Sequence, residues 1–162
     1  MFTGVAIRYA RCCLRANLRI AETAAGRHVI YSLDYTLAPE RRFPAQLDEL
    51  VAALEYLIAT FNRPIILLGD SAGAALALSI LLSHPRLAGH VDAAVLISPW
   101  VDAKPVPMSY AENRKTDFVE VDQLIGHMDR YLPVGAVTVQ RPLVSPTHAD
   151  LRLLAGTPIF VH

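Results

Sequence analysis

Ser71 is the residue whose setting points most directly to chemistry. It lies in Gly69-Asp70-Ser71-Ala72-Gly73, after Pro64-Ile65-Ile66-Leu67-Leu68 and before Ala74-Ala75-Leu76-Ala77-Leu78. The aliphatic run Ile65 to Leu68 predicts a short buried strand, and the Ala/Leu run predicts a helix. A strand, a G-x-S-x-G turn and a helix in direct succession form a nucleophile elbow. The turn is tight enough to strain the serine backbone, and the two glycines let strand and helix approach without Cβ atoms between them. Ser71 Oγ then stands at the carboxyl edge of a sheet as a nucleophile for acyl transfer. The Ala72 N–H, at the helix N-terminus, points the same way and can stabilise a developing oxyanion.

The flanking sequence supplies elements able to position that turn. Residues 5 to 23 place Val5, Tyr9, Cys12, Cys13, Ala16 and Ile20 on one helical stripe, with Gly26 as a stop. Val29 to Leu33 is apolar and partly β-branched, as a buried strand is. Thr36 to Pro44 reads as a loop with two prolines, with Pro44 suited to the first turn of the next helix. From Ala45 to Phe61 the apolar positions Leu47, Leu50, Val51, Leu54, Leu57, Ile58 and Phe61 recur with helical period. The helix after the elbow is predicted to reach about Ser83, where His84-Pro85 stops it. Ala93 to Ile97 and Pro158 to Val161 read as two more strands. Between them, residues 103 to 133 form a lid-like excursion: a polar, proline-bearing loop to about 118, then a helix over Glu120 to Leu132 with Asp117 and Glu120 resembling a capping box. Pro133 to Ala155 reads as irregular. Alternating strands and helices argue for an α/β fold with a mostly parallel sheet.

Composition narrows the classes. A chain of 162 residues fits one domain, 1–162, and can bury a substantial core. With 53% apolar and 19% charged residues, the composition is that of a globular chain and excludes disorder. Fifteen basic residues balance fifteen acidic ones, which argues against a nucleic-acid partner and favours a small neutral ligand. Gly69-x-x-x-Gly73 lacks the spacing of a dinucleotide fingerprint and the lysine of a P-loop. Adjacent Cys12 and Cys13 are poorly disposed for a mutual disulfide. No apolar run approaches the roughly 20 residues of a spanning helix. Arg8 and Arg11 break the apolar core that a signal peptide would need.

Several motifs then coincide. Ser32-Leu33-Asp34-Tyr35-Thr36-Leu37-Ala38-Pro39-Glu40, Phe43-Pro44, Gly69 to Gly73 and Ile97-Ser98-Pro99-Trp100-Val101-Asp102 stand in order. Together they resemble the hormone-sensitive-lipase-like group of α/β-hydrolases, which holds arylacetamide deacetylases, steryl acetyl hydrolases and small carboxylesterases. The resemblance covers about residue 25 to the end. It implies a partial α/β-hydrolase fold lacking the first and last strands, and hydrolysis of small neutral carboxylic esters through an acyl-serine, with no cofactor and no metal. It gives Ser71 the role of nucleophile and Ala72 that of an oxyanion N–H donor. Ala74 stands where the group often has a second glycine.

The same resemblance marks what is missing. Members carry His-Gly-Gly-Gly upstream, which supplies further oxyanion donors, and this sequence has none. Their triad acid and histidine fall beyond the strand matching Pro158 to Val161, past His162. The expectation is therefore an incomplete central part of a serine esterase. The alternative is a non-catalytic truncated module that binds a neutral lipid-like ligand or a partner. An Asp102–His162–Ser71 substitute triad is conceivable, because all three follow strands at one edge. His28, His84, His90, His127 and His148 read as surface or capping histidines. Asp70 reads as an anchor of the elbow. Asp34, Tyr35 and Glu40 read as pins for their loop. Trp100 has two readings: packing at a strand end, or contact with the substrate's acyl group.

Overall fold

Five strands make one sheet, and every pairing in it is parallel. The computed structural model describes residues 2–7, 22, 28–103, 108–113, 115–116, 119–133 and 141–162. In chain order the elements are β1 (Phe2–Ile7), β2 (His28–Leu33), α1 (Ala45–Phe61), β3 (Ile65–Asp70), α2 (Ala72–Ser83), α3 (Pro85–Ala88) and β4 (Val91–Ile97). After them come α4 (Met108–Glu112), α5 (Val121–Tyr131), α6 (Arg141–Val144), two 3-10 turns (Pro146–His148 and Leu151–Leu154) and β5 (Ile159–Val161). Spatially the strands run β2-β1-β3-β4-β5. The order therefore turns back between β1 and β3, and open α/β sheets bind their ligands outside the carboxyl ends of the strands at such a switch point.

The helices form because their apolar positions match the sheet they cover. In α1 the stripe Leu47, Leu50, Leu54 and Leu57 is buried, while Phe61 stays partly exposed with its ring 5.3 Å from that of Tyr31. Helix α2 is different: nine of its twelve residues are buried, so it runs through the protein rather than along its surface. A left-handed Asn62 (φ 42°) closes α1, its N–H donating to Ile58 O at 3.1 Å. His84 caps α2, and Pro85 then starts the short α3 instead of simply ending the run.

Three expectations change. The helical stripe predicted from Val5 fails at its start, because Phe2–Ile7 is a strand inserted between β2 and β3. Strand pairing across both edges decides that segment, and a local period of Val5 and Tyr9 cannot reveal it. Glu22 is helical, while the rest of the stripe, including Cys12 and Cys13, lies outside the described residues. The loop read over 103–118 contains α4, and the irregular stretch 133–155 contains α6 and both 3-10 turns. Glu120 is the N-cap of α5 without a side-chain capping bond, and Asp117 lies outside the described residues. Among the described residues, no helix is long and apolar enough to cross a membrane.

Candidate active site

The elbow is built almost entirely from backbone. Ser71 has φ 53° and ψ −116°, a region that costs a non-glycine residue on the order of 1–3 kcal/mol. Its surroundings hold it there. Ser71 N donates to Ile97 O at 2.9 Å, tying the turn to the end of β4. Ser71 O accepts from Ala74 N and Ala75 N, both at 3.1 Å, and from Trp100 N at 3.2 Å. Gly69 permits the crossing: a Cβ there would stand 2.5 Å from both Ala74 N and Gly73 O. Ser71 is consequently exposed at the carboxyl edge. The Ala72 N–H belongs to the first turn of α2, where no earlier helical carbonyl can accept it.

Ser71 and Ala72 line a cavity of about 610 Å³, within the size range of small-molecule sites. Its floor is α2, through Ala75, Leu76 and Ser79, and Trp100 and the loop at Tyr35 to Pro39 form part of its sides. Helix α5 makes the opposite wall with Leu124, Met128 and Tyr131. That wall is pinned from below. Arg42 Nη1 donates to Asp129 O at 2.5 Å and Leu132 O at 2.7 Å, and Phe43 N donates to Tyr131 O at 2.8 Å. These bonds satisfy carbonyls at the helix C-terminus, which have no partner within the helix. The rings of Phe43 and Tyr131 also meet at 5.6 Å, and burial pushes the Tyr131 phenol above its ordinary pKa.

The predicted site residues divide clearly. Ser71, Ala72 and Trp100 come together at one cavity; Trp100 Nε1 is turned to Asp102 O at 2.8 Å. Asp102 and His162, the partners of the substitute triad, do not line that cavity. His162 instead joins the edge of the sheet through its backbone, with its N–H on Leu96 O and its carbonyl accepting from Ser98 N. Among the described histidines, His127 lines the cavity while remaining exposed, as its reading as a surface residue expects. His84 pairs with Ser83 Oγ at 2.7 Å, away from the site.

Polar residues not singled out in the sequence support the pocket. The loop after β2 is held mainly from α1: Glu49 Oε2 accepts from Thr36 N at 2.8 Å, while Gln46 Nε2 donates to Thr36 O at 2.9 Å and Arg41 O at 2.8 Å. Asp34 and Glu40, expected to pin it, are exposed, whereas Tyr35 is buried. Ser79 Oγ shares its proton between the carbonyls of Ala75 and Leu143, joining α2 to α6 at the cavity floor. Gln46, Glu49 and Ser79 carry no signal of this in the sequence, since a long-range backbone partner leaves no trace locally.

A family model described as alpha/beta hydrolase fold matches residues 13–162. The chain belongs to that family. Among curated proteins, an acetyl-hydrolase of Streptomyces hygroscopicus is 37% identical over 133 residues, covering 79% of this chain and 43% of that protein. An esterase of Acinetobacter venetianus is 31% identical over 138 residues, covering 82% of this chain and 45% of its own length. The chain thus spans less than half the length of these relatives. Among solved structures, a mutant of the esterase E40 superposes with a TM-score of 0.81 at 31% identity, covering 99% of this chain and 56% of that one. A bacterial heroin esterase gives 0.81 at 20% identity, covering 99% and 64%, a likeness of fold. The partial hydrolase fold expected from the motifs is therefore the fold observed.

Proposed function

We propose that this chain is the nucleophile-bearing part of a serine hydrolase acting on small carboxylic esters that are uncharged around the scissile bond. The observation that carries the proposal is the strained, exposed Ser71 at the switch point of the sheet, opening into a largely apolar cavity. The esterase and acetyl-hydrolase relatives support it. Ser71 Oγ attacks the ester carbonyl, the tetrahedral oxyanion is stabilised by the Ala72 N–H, and the intermediate collapses with loss of the alcohol. Water then hydrolyses the acyl-serine. Trp100 flanks the acyl group, and α5, the described helix of the lid-like excursion that lines the cavity, covers one side of it as a flap. No cofactor or metal is part of this scheme.

Ser71 has no proton acceptor among the described residues. Among the described residues, no side chain is hydrogen-bonded to its hydroxyl, and a serine without a base is a weak nucleophile at neutral pH. Hydrolysis of a short-chain aryl ester by the isolated chain is expected to fall far below the usual range of about 1–10³ s⁻¹. A serine-directed fluorophosphonate separates the built elbow from its missing base. Intact-mass analysis should find one adduct, mapped to Ser71 and absent in Ser71→Ala. Labelling spread over several serines, or equal in the variant, would sink the proposal. Turnover at ordinary enzyme rates would instead show that the chain contains its own base.

The unengaged hydroxyl and the apolar cavity also favour a second reading, a non-catalytic module that holds a neutral lipid-like ligand or a partner. Equal binding of a neutral ester by the chain and by Ser71→Ala, with no adduct in either case, would select it.

A further inference from the structure

Helix α5 meets the cavity with two parallel stripes. Leu124, Met128 and Tyr131, spaced four and three residues apart, form the apolar one. Gln123, His127 and Arg130 repeat that spacing one residue earlier and also line the cavity. All three are exposed, so the polar stripe is the rim and the apolar stripe the wall. Among the described residues no aspartate or glutamate lines this cavity, and the helix's own acids, Asp122 and Asp129, fall outside it. Arg130 takes no part in the ion pairs formed among the described residues. The balanced net charge offers no long-range steering, yet one side of the pocket mouth carries a guanidinium, an imidazole and an amide with no carboxylate among the described lining residues.

We propose that this rim makes the site selective for esters carrying a free carboxylate at the end remote from the scissile bond, such as monoesters of short dicarboxylic acids. Arg130 takes the carboxylate with its planar fork, and Gln123 and His127 add N–H donors along the same stripe. The apolar stripe beside them holds the methylene spacer, and Ser71 lines the same cavity. The inference rests on the ester-hydrolase reading for what the ligand is, while the rim itself acts by binding alone.

The test separates binding from turnover. Ser71→Ala is titrated calorimetrically with the monomethyl and dimethyl esters of glutaric, adipic and pimelic acids, a series that scans the reach from floor to rim. For at least one spacer the monoanion should bind about fivefold tighter than its neutral diester, the scale of a solvent-accessible charge pair. Ser71→Ala/Arg130→Ala should lose that preference, Ser71→Ala/Arg130→Lys should keep part of it, and about 0.5 M salt should weaken it. Equal or tighter binding of the neutral diesters, no binding of either, or a preference surviving in the Arg130→Ala background would each overturn the proposal. The two readings fail separately. A carboxylate preference with no Ser71-specific phosphonate adduct sinks only the nucleophile assignment. A Ser71 adduct with no carboxylate preference sinks only the rim.

Discussion

On one side of the cavity, β3, Ser71 and α2 are held by buried contacts and backbone hydrogen bonds; on the other, α5 buries only Met128 within its length and is fastened through its last carbonyls. The two sides carry different duties. A nucleophile in a strained turn must stay fixed against its own conformational preference, so neighbours on β4, α2 and the Trp100 segment all constrain it. A wall that selects among substrates needs only its side chains at the right height, and a half-buried amphipathic helix supplies them. The contrast predicts that the same substitution should have opposite consequences on the two sides. Each contains a glycine where this can be tried, Gly69 under the elbow and Gly126 in the middle of α5.

The largest effect is expected at Gly69. In Gly69→Ala the added methyl meets backbone atoms at 2.5 Å, which no rotamer change can relieve. Strand and helix would have to separate at the point where Ser71 is held. A loss of roughly 4 kcal/mol or more is expected, measured as a shift of the urea midpoint, and incomplete folding is the extreme form of the same result. A stability within about 1 kcal/mol of the parent would mean that the elbow is much looser than its contacts imply.

That difference in construction also explains what the sequence made visible. The elbow was legible because its parts are consecutive: strand, turn and helix need no information from elsewhere, and Gly69, Ser71 and Gly73 announce the turn. Helix α1 was legible for a similar reason, since Leu47, Leu50, Leu54 and Leu57 carry the period of a helix on a sheet. Strand β1 was not. Its residues Thr3 to Ile7 pair with Ile65 to Gly69, far along the chain, and that distant pairing decides their conformation. The supports of the pocket were hidden by the same logic. Gln46, Glu49 and Arg42 look like solvent-facing residues until the carbonyls and amides they meet are brought to them by the fold. His127 and Arg130 could have been paired by spacing alone, but nothing in the sequence says that this stripe borders the cavity of Ser71.

Removing the fastening of α5 should have a smaller and more local effect. Arg42→Ala leaves Asp129 O and Leu132 O without the guanidinium that now serves both. Water can replace it, because Arg42 is exposed, so the expected cost is about 1 kcal/mol. The distinguishing observable is hydrogen exchange: amides of α5 should lose protection while those of α2 keep theirs. Parallel loss in both helices would mean that the two walls unfold as one unit, and the contrast between them would disappear.

The smallest effect, and the one of opposite sign, is expected at Gly126. A Cβ built there meets nothing within 4 Å, and the position is interior to α5, so neither close packing nor a cap explains the glycine. Alanine removes conformational freedom from the unfolded chain and favours the helical backbone already present, which predicts a gain of roughly 0.5–1 kcal/mol for Gly126→Ala. The same urea titration that reads Gly69→Ala reads this one. If stability falls instead, some other part of the protein must approach that face of α5 closely enough to exclude a methyl group. The wall would then be packed on both sides, as the elbow is, and its looser construction would be a mistaken inference from open space.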